Sequence, residues 1–230
     1  MMKAVIAGVF VSAVAMQATH ANAESWFQLE AGIGASHVSD MGDGTWIQEG
    51  AKNNQEHLNS PALMAGFTGK LYQRGNVDVR YHADYVYIGT YTASVDGVPD
   101  ANYNPVTHTV HNMPAGERYS PFNGQGHTQG VPLTLDMGYT WRGFRFGVEG
   151  GAWVYWQTWH ESLYDLGNNW DHFKHDPKAQ FGYVAGANVS RGNLSLSYRY
   201  YQIRSDWSTG TPGLATGAQV LMATYRANLF

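Results

Sequence analysis

Residues Val131 to Trp156 read VPLTLDMGYTWRGFRFGVEGGAWVYW, two alternating runs joined through Arg142-Gly143. In the first run Val131, Leu133, Leu135, Met137, Tyr139 and Trp141 share one face, and Pro132, Thr134, Asp136, Gly138 and Thr140 share the other. In the second, Phe144, Phe146, Val148, Gly150, Ala152, Val154 and Trp156 oppose Arg145, Gly147, Glu149 and Gly151. A period of two is the mark of a strand, and two such runs about a glycine turn make a hairpin. Each arm is long enough for a tilted strand to cross a bilayer, which takes about 9 to 11 residues, whereas common globular strands run to roughly 5 or 6. A soluble sandwich would bury the apolar face against a second sheet, whereas a membrane barrel turns it to lipid and keeps the polar face inside.

Composition separates the two. Only 14% of the 230 residues are charged, while there are 27 Gly, 15 Tyr, 9 Phe and 8 Trp. So little charge with so much glycine and aromatic side chain is unusual in a soluble globule and ordinary in an outer-membrane barrel. The mean hydropathy is negative, which excludes a helical membrane protein. The formal charge of -4 leaves no basic footprint for nucleic acid, and with no Cys there are no disulfides and no Cys-ligated metal sites. Lys3, the apolar run Ala4 to Met16 and Ala21-Asn22-Ala23 read as a secretory signal peptide over residues 1–23. The mature chain is then 24–230, a single barrel domain with four long extracellular loops.

The hairpin pattern recurs along the chain. A first strand starts at Ser25 and turns out Phe27, Leu29, Ala31, Ile33 and Ala35. A second turns out Leu63, Ala65, Phe67, Gly69 and Leu71, and a third Val77, Val79, Tyr81, Ala83, Tyr85 and Tyr87. Strands four and five are the opening hairpin. Strand six carries Ala179 to Val189, strand seven Leu194 to Tyr200 and strand eight Leu221 to Leu229. His37 to Ser60, Thr92 to Gly130, Thr158 to Pro177 and Arg204 to Gly217 are expected to be loops. The three other connections are tight and contain Arg74-Gly75, Arg142-Gly143 and Arg191-Gly192. Long loops on one side and short turns on the other, with an even strand count, predict an all-β, eight-stranded antiparallel up-and-down transmembrane barrel, its turns in the periplasm.

In this respect the mature chain resembles the small eight-stranded outer-membrane proteins, the OmpA transmembrane domain and the OmpX/Ail group. Its terminal Tyr225-Arg226-Ala227-Asn228-Leu229-Phe230 is similar to the aromatic signal that the barrel assembly machinery reads in that class, although Phe230 stands on the opposite parity from Leu229. The resemblance implies residence in the outer membrane of a Gram-negative cell, contact with outer-membrane lipid and lipopolysaccharide, and a cell-surface role.

The inward faces bring together Glu30, Asp78, Asp84, Asp136 and Glu149 with Lys70, Arg80, Arg145, Arg199 and Arg226. Eight strands leave a lumen that side chains fill, so these ten are expected to pair and close it. Trp159, Tyr164, Trp170 and Trp207 are candidates for a loop surface that contacts a host or extracellular ligand. His37-Val38-Ser39 and His160-Glu161-Ser162 each set a base and a nucleophile at i, i+2, the spacing that keeps an alternative open, a lipid A-modifying enzyme of similar shape. His108 with His111, and His160, Asp171, His172, His175 and Asp176, offer metal-ligand types in segments that fix no geometry, and neither metal nor other cofactor is assigned. The reading favoured is a non-enzymatic barrel, acting structurally or in adhesion through its loops. The alternatives are the lipid A enzyme and a narrow pore or conduit for small apolar solutes.

Overall fold

The computed structural model describes residues 27–39, 52–97, 103–104, 109–110, 120–164, 170–175, 179–203 and 217–228. The signal-peptide segment, Trp207 and Phe230 lie outside them. The strands are β1 (Gln28–Ser39), β2 (Lys52–His57), β3 (Asn59–Arg74), β4 (Val77–Gly97), β5 (Tyr103–Asn104), β6 (Thr109–Val110), β7 (Ser120–Trp141), β8 (Phe144–Tyr164), β9 (Trp170–His175), β10 (Gln180–Arg191), β11 (Leu194–Gln202) and β12 (Gly217–Asn228).

Eight of these close a ring, each antiparallel to its neighbour: β1, β3, β4, β7, β8, β10, β11 and β12. The seam is β1 on β12, in unbroken register from Gln28↔Asn228 to Ser39↔Gly217. Closure leaves no strand edge within the ring, the condition a sheet must meet in hydrocarbon. Outside the ring lies a belt of exposed apolar side chains, with Leu133 60%, Val148 64%, Phe181 68% and Leu194 64% exposed. Trp141, Phe144, Phe146 and Tyr139 ring its lower edge, and Tyr85, Tyr183 and Tyr198 its upper one. A closed antiparallel barrel with an apolar waist between aromatic girdles is the form that spans a bacterial outer membrane, and that is where the protein resides.

The tight turns differ from the common Arg-Gly element that the sequence suggests. Gly75-Asn76 and Gly192-Asn193 form two of them, with positive φ at the glycine only, which is the type II′ signature; Arg74 and Arg191 are the last strand residues before each. In the third turn Arg142 itself takes φ 51° and Gly143 takes φ 80°, the type I′ signature.

In three segments expected to be loops, the described residues are largely sheet. β4 continues to Gly97 and β7 begins at Ser120, paired from Thr90↔His127 to Gly97↔Ser120. β8 continues to Tyr164 and takes β9 on its free side, while β2 pairs with the upper end of β4. The result is a sheet standing above the belt. The sequence hides it because the apolar period stops: a bulge between Tyr87 and Gly89 shifts the parity of β4, and Gly89 sits at φ 106° with Ser60 against it. Ser60 Oγ accepts from Thr90 N at 2.9 Å, and Ser36 Oγ donates to the carbonyls of Ser60 and Ile88. Three strands are pinned together there.

This topology makes a labelling prediction. The chain has no Cys, so a single cysteine at Gln125, exposed on the raised sheet, is expected to react with an impermeant maleimide on intact cells, and one at Asn193, exposed in the turn, only after the outer membrane is opened. The reverse pattern would invert the barrel.

Candidate functional site

The lumen is filled in two storeys. The lower one, near the turns, holds the ions. Arg145 reaches between two acids, Nε donating to Asp78 Oδ1 at 2.7 Å and Nη1 to Asp136 Oδ2 at 2.6 Å, with Asn188 Oδ1 at 3.2 Å. Arg199 bridges Glu149 Oε1 at 2.5 Å and Asp84 Oδ2 at 2.9 Å. Arg226 Nε lies 3.5 Å from Glu30 Oε2, and Arg80 Nε 3.5 Å from Asp78 Oδ1. Lys70, opposite Arg80 on β3, stands at the lower rim of this layer, half-exposed and donating to Gln73 Oε1 at 2.6 Å; a bulge between Lys70 and Tyr72 follows it.

His82, on the same face of β4 as Asp78, Arg80 and Asp84, takes the central place. Its Nδ1 is 2.6 Å from Glu30 Oε1 and its Nε2 3.6 Å from Asp136 Oδ2. Nδ1 is at hydrogen-bond distance and Nε2 lies beyond it. Around this imidazole the five acids Glu30, Asp78, Asp84, Asp136 and Glu149 face four arginines, Arg80, Arg145, Arg199 and Arg226. The donor atoms of Glu30, His82 and Asp84 lie within 4.8 Å of one another, a composition that could hold a metal. Arg199 on Asp84 and Arg226 on Glu30 already supply cations there.

The upper storey is apolar. Val38, Met64, Val86, Ile88, Trp153, Tyr155, Val184, Tyr201, Ile203, Val220 and Met222 are all buried. Trp153 stacks on Tyr155 at 4.5 Å between ring centroids and packs on Tyr201 at 4.9 Å. Trp153 Nε1 donates to the Gln202 carbonyl at 2.9 Å and the Tyr155 hydroxyl to Gln180 Oε1 at 2.8 Å.

The same inner face continues up the raised sheet, and here a sequence expectation is corrected. Trp159 is not a contact residue: it is fully buried, stacked on Tyr91 at 6.2 Å and lying over Gly124 and Gly126, where a Cβ would meet its ring at 2.1 and 2.7 Å. Gln157 Nε2 donates to the Tyr91 hydroxyl at 3.3 Å and to Thr128 Oγ1 at 3.2 Å, and burial pushes the Tyr91 phenol up to about 12. The signal was present in sequence as Gly124, Gly126 and Gly130 at period two, facing Trp159 and Tyr155 across the pair. The side chains of Tyr164 and Trp170, which pair at the tip of β8 and β9, and all of Trp207 lie outside the described residues.

The outer face of this sheet is polar. Thr92, Ala93, Ser94, Asn123, Gly124, Gln125, His160 and Ser162 line an open cleft of ≈ 370 Å³. Ser162 Oγ is 2.8 Å from His172 Nδ1 across the β8–β9 pair, while Glu161 turns to the other face and accepts from Trp159 Nε1 at 2.8 Å. His127 Nδ1 is 2.7 Å from Thr158 Oγ1. Ser162 thus meets His172 rather than His160 of its own triplet, and in the other His-x-Ser triplet His37 Nδ1 meets Asn59 Oδ1 at 2.9 Å while Ser39 Oγ donates to the Gly217 carbonyl at 3.0 Å. Of the metal-ligand candidates, His108, His111 and Asp176 lie outside the described residues, as do the side chains of Asp171 and His175.

No family model matches the chain, and no curated protein matches it by sequence. Among solved structures it is similar to Neisserial surface protein A, with 13% identity, 88% of this chain and 97% of that one covered, and a TM-score of 0.41. It is similar also to Ail, the attachment invasion locus protein of Yersinia pestis, in complex with the heparin analogue sucrose octasulfate (12%, 87% and 97%, 0.39). A third is the outer membrane protease OmpT from Escherichia coli (10%, 91% and 99%, 0.44).

Two predictions follow from this geometry. Arg145→Ala leaves Asp78 and Asp136 without their shared cation, which costs about 3 to 5 kcal/mol for a buried pair. The urea midpoint of the refolded barrel is expected to fall accordingly, and Arg145→Met with Asp78→Asn and Asp136→Asn to recover most of the loss; a single-mutant cost within about 0.5 kcal/mol, the range of surface changes, would remove the network as a stabilising element. On the raised sheet, burial and the charge of His160 hold the His127 imidazole below its ordinary 6.5. The folded state then binds fewer protons than the unfolded one, so stability rises with pH and is lost as pH falls through about 6.5 toward the folded value. Amide exchange in β7 and β8 above the belt, corrected for intrinsic rates, is expected to quicken on acidification, and His127→Gln to flatten that response.

Proposed function

We propose that the protein is a sealed, non-enzymatic outer-membrane barrel that acts as a surface contact protein, meeting an extracellular or host ligand on its raised sheet. One observation carries the reading: β4, β7 and β8 run on, paired to one another, beyond the lipid belt, and a buried aromatic layer stiffens them so that a polar, clefted face is presented to the outside. A rigid platform loses little conformational entropy when a partner docks. Both storeys of the lumen are packed with side chains, which argues against the pore and the conduit. The girdle residues meet outer-leaflet lipid and lipopolysaccharide, and β12 serves as the segment read by the barrel assembly machinery.

The second reading, a lipid-modifying hydrolase, is favoured by the Ser162–His172 contact, the geometry of a nucleophile and its base. A base of this kind is commonly held by a carboxylate, and Glu161, the acid beside Ser162, is turned to the opposite face.

Cells bearing the native chain are expected to adhere to glycan- or matrix-coated surfaces, and cells bearing Thr92→Ala, Gln125→Ala and His160→Ala together to lose that adhesion while the barrel keeps its heat-dependent gel mobility. Equal adhesion of both, or of neither above empty cells, would sink the contact reading. The same membranes are expected to give an unaltered lipid A mass spectrum; loss of an acyl chain that depends on Ser162 and His172 would replace it with the hydrolase.

A further inference from the structure

Arg142 is the one non-glycine residue at positive φ among the described residues. An L-residue is strained in this region, and Gly would relieve it. The conformation lays the guanidinium over the Trp141 ring, with Cζ 4.7 Å from the centroid. From the neighbouring β10, Arg191 lies over Phe144 at 5.0 Å. Trp141 and Phe144 are cross-strand partners, so two cations flank one exposed aromatic pair at the lower edge of the belt. The turns between strands carry no carboxylate, and Asp78, the acid closest to them in sequence, is buried beneath Arg145.

Directly above this pair a cleft of ≈ 290 Å³ opens on the lipid side. Its floor is the backbone of the Gly138–Gly147 pair, and Met137, Tyr139, Phe146 and Val148 wall it. It begins two residues up the strand from Trp141, roughly 7 Å at the usual rise.

The geometry points to a binding site for one anionic phospholipid of the periplasmic leaflet, its phosphate held between Arg142 and Arg191 and one acyl chain lying in the cleft over Gly138 and Gly147. Planar guanidinium groups suit phosphate oxygens, and stacking on the rings holds them at headgroup depth. A zwitterionic lipid would offer the same chain with no net charge to attract the arginines.

Native mass spectrometry of the detergent-solubilised protein, titrated with phosphatidylglycerol or phosphatidylcholine of matched chains, tests the site. One phosphatidylglycerol is expected to be retained in preference to phosphatidylcholine. Arg142→Gln and Arg191→Gln should each weaken retention about fivefold, as about 1 kcal/mol per basic residue implies. Arg74→Gln, in a different turn, should leave it unchanged. Arg142→Gly removes the charge and relieves the backbone together, so it must lose lipid while unfolding no earlier than the native protein. Equal retention of both lipids, insensitivity to the two arginines, the same loss with Arg74→Gln, displacement by inorganic phosphate alone, or a stronger preference for lipid A would each overturn the proposal.

Discussion

An eight-stranded ring has an interior only wide enough for side chains, and everything else in this molecule answers to that limit. In hydrocarbon the backbone must be fully paired, which the seam of β1 on β12 completes. The residues turned inward must then fill a tube that holds no column of water to solvate them. A charge there is tolerable only with a partner at hydrogen-bond distance. Arg145 between Asp78 and Asp136, and Arg199 between Glu149 and Asp84, meet that requirement by crossing between strands, so each pair also ties the wall to itself. Removing one member strands the other in a place where neither water nor a rearranged backbone can reach it.

Above the belt the limit changes, because the strands are no longer bound into a closed ring of eight. The raised sheet needs a core of its own, and it makes one by size complementarity. Gly126 faces Trp159 and Gly130 faces Tyr155, so large rings on β8 lie flat over a strand stripped of side chains. Tyr91 from β4 completes the stack and shares its hydroxyl with Gln157 and Thr128. Any Cβ at Gly124 or Gly126 would enter the Trp159 ring, so these glycines are required by close approach rather than by backbone freedom. Stiffening three strands this way leaves the opposite face free to be polar, which is the chemistry a water-facing contact surface asks for.

The ring of eight was legible because lipid imposes a uniform outward period, and Leu133, Leu135 and Met137 can be read directly from it. Alternation also assigns Arg145, Glu149 and Arg199 to the inner face, where they lie. It assigns Lys70 inward as well, opposite Arg80, but at the lower end of β3, where the side chain is half-exposed and bonds Gln73. His82 was on the inner face by the same count, but its place between Glu30 of β1 and Asp136 of β7 is made only when the ring closes. The raised sheet was missed because Pro121 to Gly130 is read as turn chemistry, and its period lies in absent side chains. Trp159 suggested a contact residue because it stands beyond the lipid-facing run; its parity, shared with Trp153, Tyr155, Arg145 and Glu149, was the better guide.

The vertical order of the two storeys follows from what each kind of filling demands. Ion pairs depend steeply on distance and direction, so they need a wall whose register does not drift. At the lower end, two-residue turns at Gly75-Asn76, Arg142-Gly143 and Gly192-Asn193 lock neighbouring strands within a few residues of Arg80, Arg145 and Arg199. At the upper end the connections are long, and register is held only by the sheet and by side-chain ties such as Ser36 and Ser60 beside the Gly89 bulge. Apolar contact has little directional demand, and a layer of Trp153, Tyr155, Tyr201 and Met222 can absorb small shifts that would break an ion pair. The charged layer therefore belongs at the turns and the aromatic layer at the mouth. That order also lets the aromatic layer continue, through Gln157 and Thr128, into the core of the raised sheet, so that the sheet's polar face rests on the packed interior of the barrel.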